Sequence, residues 1–162
     1  DMYLLRSAVT VLNRSSIVEV TIREYLALAQ PQGIDGAAMM RVLETVGLST
    51  RISSLPKGLD TQLAGSGSPL TTVEVMQLKL ANALLSAPRV LLLSQLYDMM
   101  PTERLKASLE ALRKEETTVL FFTGRPEAIT PDAYFWMGAN EQRRFSTREG
   151  LTHHVAVQEV RS

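Results

Sequence analysis

The chain has 162 residues, with 17 Lys+Arg against 17 Asp+Glu, two His and no Cys. That length suits one domain able to bury a core, and 45% hydrophobic with 21% charged residues is a globular composition, not a disordered one. Zero net charge argues against a general nucleic-acid binder, while the absence of Cys removes disulfides, thiolate metal sites and Cys nucleophiles and leans towards a reducing compartment.

The first predicted element is a strand over Ser7 to Leu12, carried by β-branched Val9, Thr10 and Val11. A polar break follows at Asn13-Arg14-Ser15-Ser16. Thr21 opens a helical pattern with Ile22, Tyr25, Leu26 and Ala29, stopped by Pro31 and Gly33. A second helix runs from Gly36 with Met39, Met40, Leu43 and Val46 on one face, and Gly47 stands at its C-terminal glycine position. Leu55 to Pro69 reads as loop, holding Pro56, Gly58, Gly65 and Gly67. Thr71 and Glu74 then form a T-x-x-E capping box, with Leu70 and Val75 at the two positions of a hydrophobic staple. That helix continues through Leu78, Ala81, Leu84 and Leu85 to Ser86, and Pro88 breaks it.

Val90-Leu91-Leu92-Leu93 is a short apolar strand of the buried parallel kind. Thr102 is placed to cap a helix carrying Leu105, Leu109 and Leu112, which runs into the charged turn Arg113 to Glu116. Thr118 to Phe122 reads as a second buried strand. Tyr134 to Met137 and Arg143 to Ser146 read as a hairpin, with Phe135 and Trp136 as its core. The tail, Leu151 to Val160, alternates weakly and favours strand. Alternating strands and helices give an α/β protein with a parallel sheet. The expected division is one partial domain over 1–162, with a helical subdomain over about 21–88 and an α/β core from 1–20 and 89–162. No run approaches the roughly 20 apolar residues a bilayer requires, and nothing looks like a signal peptide. A start at Asp1 and not Met leads to the expectation of a fragment.

The order of these segments, with Leu55-Pro56-Lys57-Gly58-Leu59-Asp60-Thr61 in the middle, resembles the nucleotide-binding domain of ABC transporters, the exporter type fitting best. In that family L-P-x-G-L-D-T leads into the LSGGQ signature and its helix. Here Gly67-Ser68-Pro69-Leu70 leads to Thr71-Thr72-Val73-Glu74, and Ala81-Asn82-Ala83-Leu84-Leu85 stands where the family has A-R-A-L-L. Thr21-Ile22-Arg23-Glu24 matches the stretch after the Q-loop. The strand at Val90 falls at Walker B, and Thr118 to Gly124 falls at the switch-histidine strand. The resemblance implies a partial RecA-like parallel sheet core with an inserted ABC helical subdomain and a C-terminal β-hairpin. It also implies ATP and Mg²⁺ as the family's cofactors, a transmembrane domain and a second nucleotide-binding domain as partners, and a place on the cytoplasmic face of a membrane.

The departures fall at the chemical positions. ATP hydrolysis needs phosphate-cradling amides and a Lys, a Mg²⁺-holding carboxylate, a base, and a sensor of the γ-phosphate. No G-x-x-x-x-G-K-[ST] occurs, so Walker A would lie before Asp1, and Gly65-Ser66-Gly67-Ser68 is a turn-rich loop lacking the Lys. The Walker B Asp and Glu positions hold Ser94 and Gln95; a Gln can orient water but cannot take its proton. The switch-histidine position is Gly124, with Arg125 beside it read as an ordinary surface residue. Thr72 and Val73 replace the signature glycines, and their Cβ branches crowd the backbone approach to phosphate. The Q-loop position holds Asn13. Asp98-Met99-Met100-Pro101 occupies the D-loop, where Asp98 is expected to be a turn or cap residue and the methionines could favour a constitutive interface.

The set points to a degenerate domain in which no catalytic residue is intact, binding no cofactor as this fragment and serving a structural or regulatory role. Two alternatives stand beside it: an ATP-binding subunit with one impaired site, and a soluble interaction domain derived from the ABC fold. His153-His154, taken as strand neighbours on opposite faces, are expected at the surface with no metal role. Met39, Met40 and Met76 are expected as core filling or contact surface.

Overall fold

Four-residue apolar runs can be satisfied only by pairing, and three of them do so side by side. A computed structural model describes residues 8–138 and 141–161, with side chains through 158; Asp1, Ser7 at the start of the first predicted strand, the hairpin-turn residues Ala139 and Asn140, and the Val160 side chain lie outside the described residues. Strands β1 (Val9–Leu12), β2 (Val90–Leu93) and β3 (Thr118–Phe121) form a parallel sheet in that order. Val9 stands opposite Val90, and Val90 opposite Thr118. Because side chains alternate between faces, Leu12, Leu91 and Leu93 share one face and are buried. The other face leaves Val11 at 52% and Leu120 at 43% exposure. The expected burial of Thr118 to Phe122 therefore fails: β3 is an edge strand, and Phe122 after it is 51% exposed. A parallel strand is buried only when elements cover both of its faces, which an apolar sequence cannot guarantee.

The long excursion between β1 and β2 is helical. Helix α1 (Ile22–Ala27) opens on a capping box: the Glu24 N–H donates to Thr21 Oγ1 at 3.1 Å, and the Thr21 N–H donates to Glu24 Oε2 at 2.8 Å. Helix α2 (Gly36–Val46) buries Met39, Leu43 and Val46 and ends on Gly47, whose φ of 83° needs no Cβ. Helix α3 (Ser49–Ser54) was not predicted; its polar STRISS sequence is too short to show a period, and Ile52 alone anchors it. Helix α4 (Thr72–Ser86) begins at the predicted capping box, with both staple residues, Leu70 and Val75, buried. Val75 sits so close to Gly67 that any Cβ at 67 would collide with it, and Gly67 has φ 94°. Helix α5 (Thr102–Lys114) departs from expectation: Pro101 holds the N-cap position and no side chain caps it, so Thr102 is the first helical residue instead. Proline has no side-chain acceptor, so it cannot supply the cap bond that Ser, Thr, Asp or Asn makes at this position. Helix α4 lies against β1 and α5 against β3.

The chain divides into two compact units, Asp1–Gly124 and Arg125–Ser162. In the second, β4 (Tyr134–Met137) and β5 (Gln142–Phe145) make the predicted antiparallel hairpin. The predicted tail strand is instead helix α6 (Arg148–Arg161). Leu151, His154 and Gln158 recur at helical spacing, and Thr147 caps the start through the Gly150 N–H at 3.2 Å. The helix buries His154 between Phe145 (ring centroids 5.3 Å apart) and Trp136 (6.0 Å), which corrects the expected surface position. His154 Nε2 stands 3.8 Å from Glu141 Oε2, and Glu141 also pairs with Arg143. Phe135, expected in the hairpin core, is 63% exposed because alternation turns it to the face opposite Trp136.

Candidate functional site

Parallel sheets gather functional groups where strands end at their carboxyl side. The Ser94 N–H donates to the Leu12 carbonyl at 3.1 Å, so the residues after β1 and β2 are drawn together. There Asn13, Ser94, Gln95, Leu96 and Met99 line a depression of about 380 Å³. Its polar groups are two carboxamides and a hydroxyl; Ser94 Oγ is buried and finds no hydrogen-bond partner among the described residues. No carboxylate and no cation line it. Mg²⁺ takes hard oxygen ligands with at least one carboxylate, so these residues do not fit that ion. Among the described residues, no group of three His, Cys, Asp or Glu side chains could hold a metal.

The floor of the site is a 3₁₀ turn, Gln95–Met99, anchored from below. Tyr97 is 1% exposed and its hydroxyl donates to the Met76 carbonyl of α4 at 3.2 Å. Burial, helped by Tyr25 nearby, pushes the Tyr97 phenol well up. Asp98 is not among the residues that line the depression. It accepts from Thr123 Oγ1 at 2.6 Å and from the Gly124 N–H at 2.8 Å, tying the end of β3 to the turn. A Cβ at Gly124 would lie 2.6 Å from Gln95 Nε2, so the Gln95 amide fills the space a side chain at 124 would need. Met99 is exposed at 57%, Met100 is buried, and Pro101 begins α5. Arg125 is exposed and lies across the unit boundary.

The start of α4 forms a second, separate part. Glu74 Oε2 accepts from the Thr71 N–H at 2.8 Å, and Glu74 Oε1 pairs with Arg51 Nε at 3.2 Å. The Arg51 guanidinium also donates to the Pro69 carbonyl at 3.0 Å. A helix N-terminus attracts anions through its free N–H groups. Here the Glu74 carboxylate takes one of those donors, the Thr71 N–H, and Thr71 Oγ1 takes another, the Glu74 N–H at 3.3 Å. Thr72 is exposed and Val73 half-buried, with neither at the depression.

Of the positions singled out by sequence, Asn13, Ser94, Gln95 and Met99 therefore converge, with Gly124 directly behind Gln95. Thr71, Thr72, Val73 and Glu74 stand apart from that pocket's lining, and Asp98, Met100 and Pro101 serve its framework. Sequence reasoning missed Leu96, Tyr97, Arg51 and Lys79. Only Lys79 left a signal, a lone cation inside the apolar stretch Val75 to Leu80.

No protein-family model matches the chain. It is similar to the ABC transporter BEA3 of Gibberella fujikuroi, 31% identical over 104 residues, which cover 64% of this chain and 8% of that protein. It is also similar to the glutathione/L-cysteine transport system ATP-binding/permease protein CydC of Haemophilus influenzae, 31% identical over 118 residues (72% of this chain, 20% of that protein). An ATP-dependent lipid A-core flippase of Burkholderia orbicola is 27% identical over 124 residues, 74% of this chain and 21% of the flippase. The chain thus matches about a fifth or less of the length of these curated relatives. Its fold matches a bacterial Atm1-family ABC exporter solved with ATP bound, at TM-score 0.76 and 21% identity, over 93% of this chain and 27% of that one. The relatives are ABC exporters, and the fold is that of an ABC-type domain. No helix among the described residues is long and apolar enough to cross a membrane.

Proposed function

We propose that the chain is an exporter-type ABC domain that does not hydrolyse ATP and acts as a structural or regulatory partner in a transporter. One observation carries this reading: the depression at the strand ends is lined by Asn13, Ser94, Gln95, Leu96 and Met99, with no ionisable group among them. A base that accepts a proton and a ligand for a divalent cation are both missing from the place where the family resemblance puts them. Gln95 can hold a water by hydrogen bonds but leaves its proton in place. The signature position supports the same reading, because the Glu74 carboxylate takes the Thr71 N–H and side chains at Thr72 and Val73 stand where the family resemblance has glycines. Packing and caps survive while charge-handling groups do not, which is the pattern of a domain retained for its shape.

The domain's partners on this reading are a transmembrane domain and a second nucleotide-binding domain, and the exposed Leu96 and Met99 give that second domain an apolar rim to meet. Phosphate release by the intact protein tests the proposal. The expected rate is the same for wild type and Gln95→Ala; a wild-type rate that vanishes in Gln95→Ala refutes it. Calorimetry of Mg-ATP against this chain is expected to show no binding, and tight binding would overturn the reading of the pocket.

A further inference from the structure

We propose that Lys79 is a clasp that fastens the Asn13–Ser16 loop onto helix α4 and so fixes where Asn13 stands at the pocket. The Lys79 ammonium donates to the Arg14 carbonyl at 2.7 Å and to the Ser16 carbonyl at 3.0 Å. The two acceptors lie more than sixty residues away in sequence, so the contact joins the segment after β1 to the middle of α4. Its setting shows why the loop depends on it. Residues on the far side are held by backbone bonds to the 61–65 strip: Ile17 to Gly65, Leu63 to Val20 and Ile22 to Thr61. Among the described residues, no backbone–backbone hydrogen bond holds 13–16. The loop is therefore pinned at Leu12 by the sheet, at Ile17 by the strip, and between them by one side chain.

A lysine suits this work because one ammonium has three donors and can serve two carbonyls at once. The cation is half-buried among apolar neighbours, and burial, with the like charge of Arg14 beside it, pushes its titration below the ordinary lysine range. Such a group is held only where its donors are used. Lys79 is not among the residues that line the pocket, and it acts there through the loop as a positioning residue: a shift of α4 carries the loop, and Asn13 with it. The clasp is a feature of the loop and stands whether or not nucleotide reaches the site.

Trypsin supplies a local readout, because the peptide bond after Arg14 lies inside the clasped loop and the bond after Lys57 lies in another exposed turn. In the intact protein, Lys79→Met is expected to raise cleavage after Arg14 about tenfold relative to cleavage after Lys57, since proteolysis follows the open population of the segment cut. Lys79→Arg, which keeps the charge and two donors, is expected to return the ratio to within about threefold of wild type. An unchanged ratio in Lys79→Met overturns the proposal. So does a rise at both sites together, which would make Lys79 a general stabiliser. Should Lys79→Met not fold, Lys79→Gln offers two uncharged donors on a shorter side chain and is expected to give an intermediate ratio; a wild-type ratio there overturns the proposal equally.

Discussion

Tyr97→Phe separates two contributions of one hydroxyl, and they act in opposite directions with pH. At neutral pH the hydroxyl donates to the Met76 carbonyl in a site only 1% exposed. Its removal is expected to lower stability by about 1 kcal/mol, or about 2–4 °C in melting temperature for a chain of this size. In alkali the balance turns. Burial holds the Tyr97 phenol protonated well above the ordinary tyrosine range, whereas in the unfolded chain it ionises near pH 10. A folded-state pKa above the unfolded one gives stability that is whole below the unfolded value and is lost as pH rises towards the folded one. The loss reaches about 1.4 kcal/mol one pH unit above the unfolded value and grows by a similar amount per unit beyond. Phe cannot ionise and escapes that loss. The two stability curves are therefore expected to cross between about pH 10 and pH 11, the variant being weaker below and stronger above. Tyr25, held at about 12 by burial, weakens both proteins alike and does not move the crossing. Urea unfolding at a series of pH values, followed by circular dichroism, measures this. Curves that stay parallel through pH 11 refute the burial argument for Tyr97.

Other outcomes follow from particular contacts. Thr71→Ala removes the cap of α4 and is expected to lower stability by about 1 kcal/mol in a thermal melt, with the helix start fraying first. Gly124→His places a Cβ 2.6 Å from the present position of Gln95 Nε2 and so displaces that amide. It is expected to leave phosphate release by the intact protein unchanged, because no carboxylate stands at 94 or 95; a gain of about tenfold or more would contradict the proposed inactivity. His154→Ala empties the space between Trp136 and Phe145, so emission from the single tryptophan is expected to move to the red, while His154→Phe is expected to keep it near the wild-type wavelength.

Some of this was legible because the physics is local. A T-x-x-E start before an apolar stretch specifies its own hydrogen bonds, and the two partners are three residues apart, so the start of α4 was readable from four letters. Gly47 was readable for a similar reason, since a left-handed helix end favours glycine over any side chain. The apolar strand at Val90 carried its parallel type in its composition, while its central place comes from pairing with β1 and β3 on either side. What failed depended on distant or compensating neighbours. Whether β3 is buried depends on what lies over its outer face, which its own four residues do not encode. The tail misled because Val155, Val157 and Val160 favour strand in isolation, while Thr147, seven residues or more upstream of them, sets a helix going. His154 was misplaced with it, since a wrong period puts a residue on a wrong face.

The site divides along the same line. That Ser94, Gln95 and Gly124 carry no carboxylate or imidazole is legible in the sequence itself, because a group absent from the side chain is absent in any conformation. Their mutual fit could not be read there: that the Gln95 amide lies where a side chain at 124 would stand, and that Asp98 accepts from the Gly124 N–H, needs the turn after β2 and the end of β3 folded together. That fit bears on how such a domain persists. Asp98 and Tyr97 brace the strand ends, and each does so through a backbone group, the Gly124 N–H and the Met76 carbonyl. On the proposed reading, the absence of carboxylates in front of these groups costs the framework little, since isolated buried carboxylates destabilise a fold unless they are paired. The groups that hold the strand ends together, Asp98 and Tyr97, stand outside the lining of the depression, so on that reading the fold can outlast the chemistry.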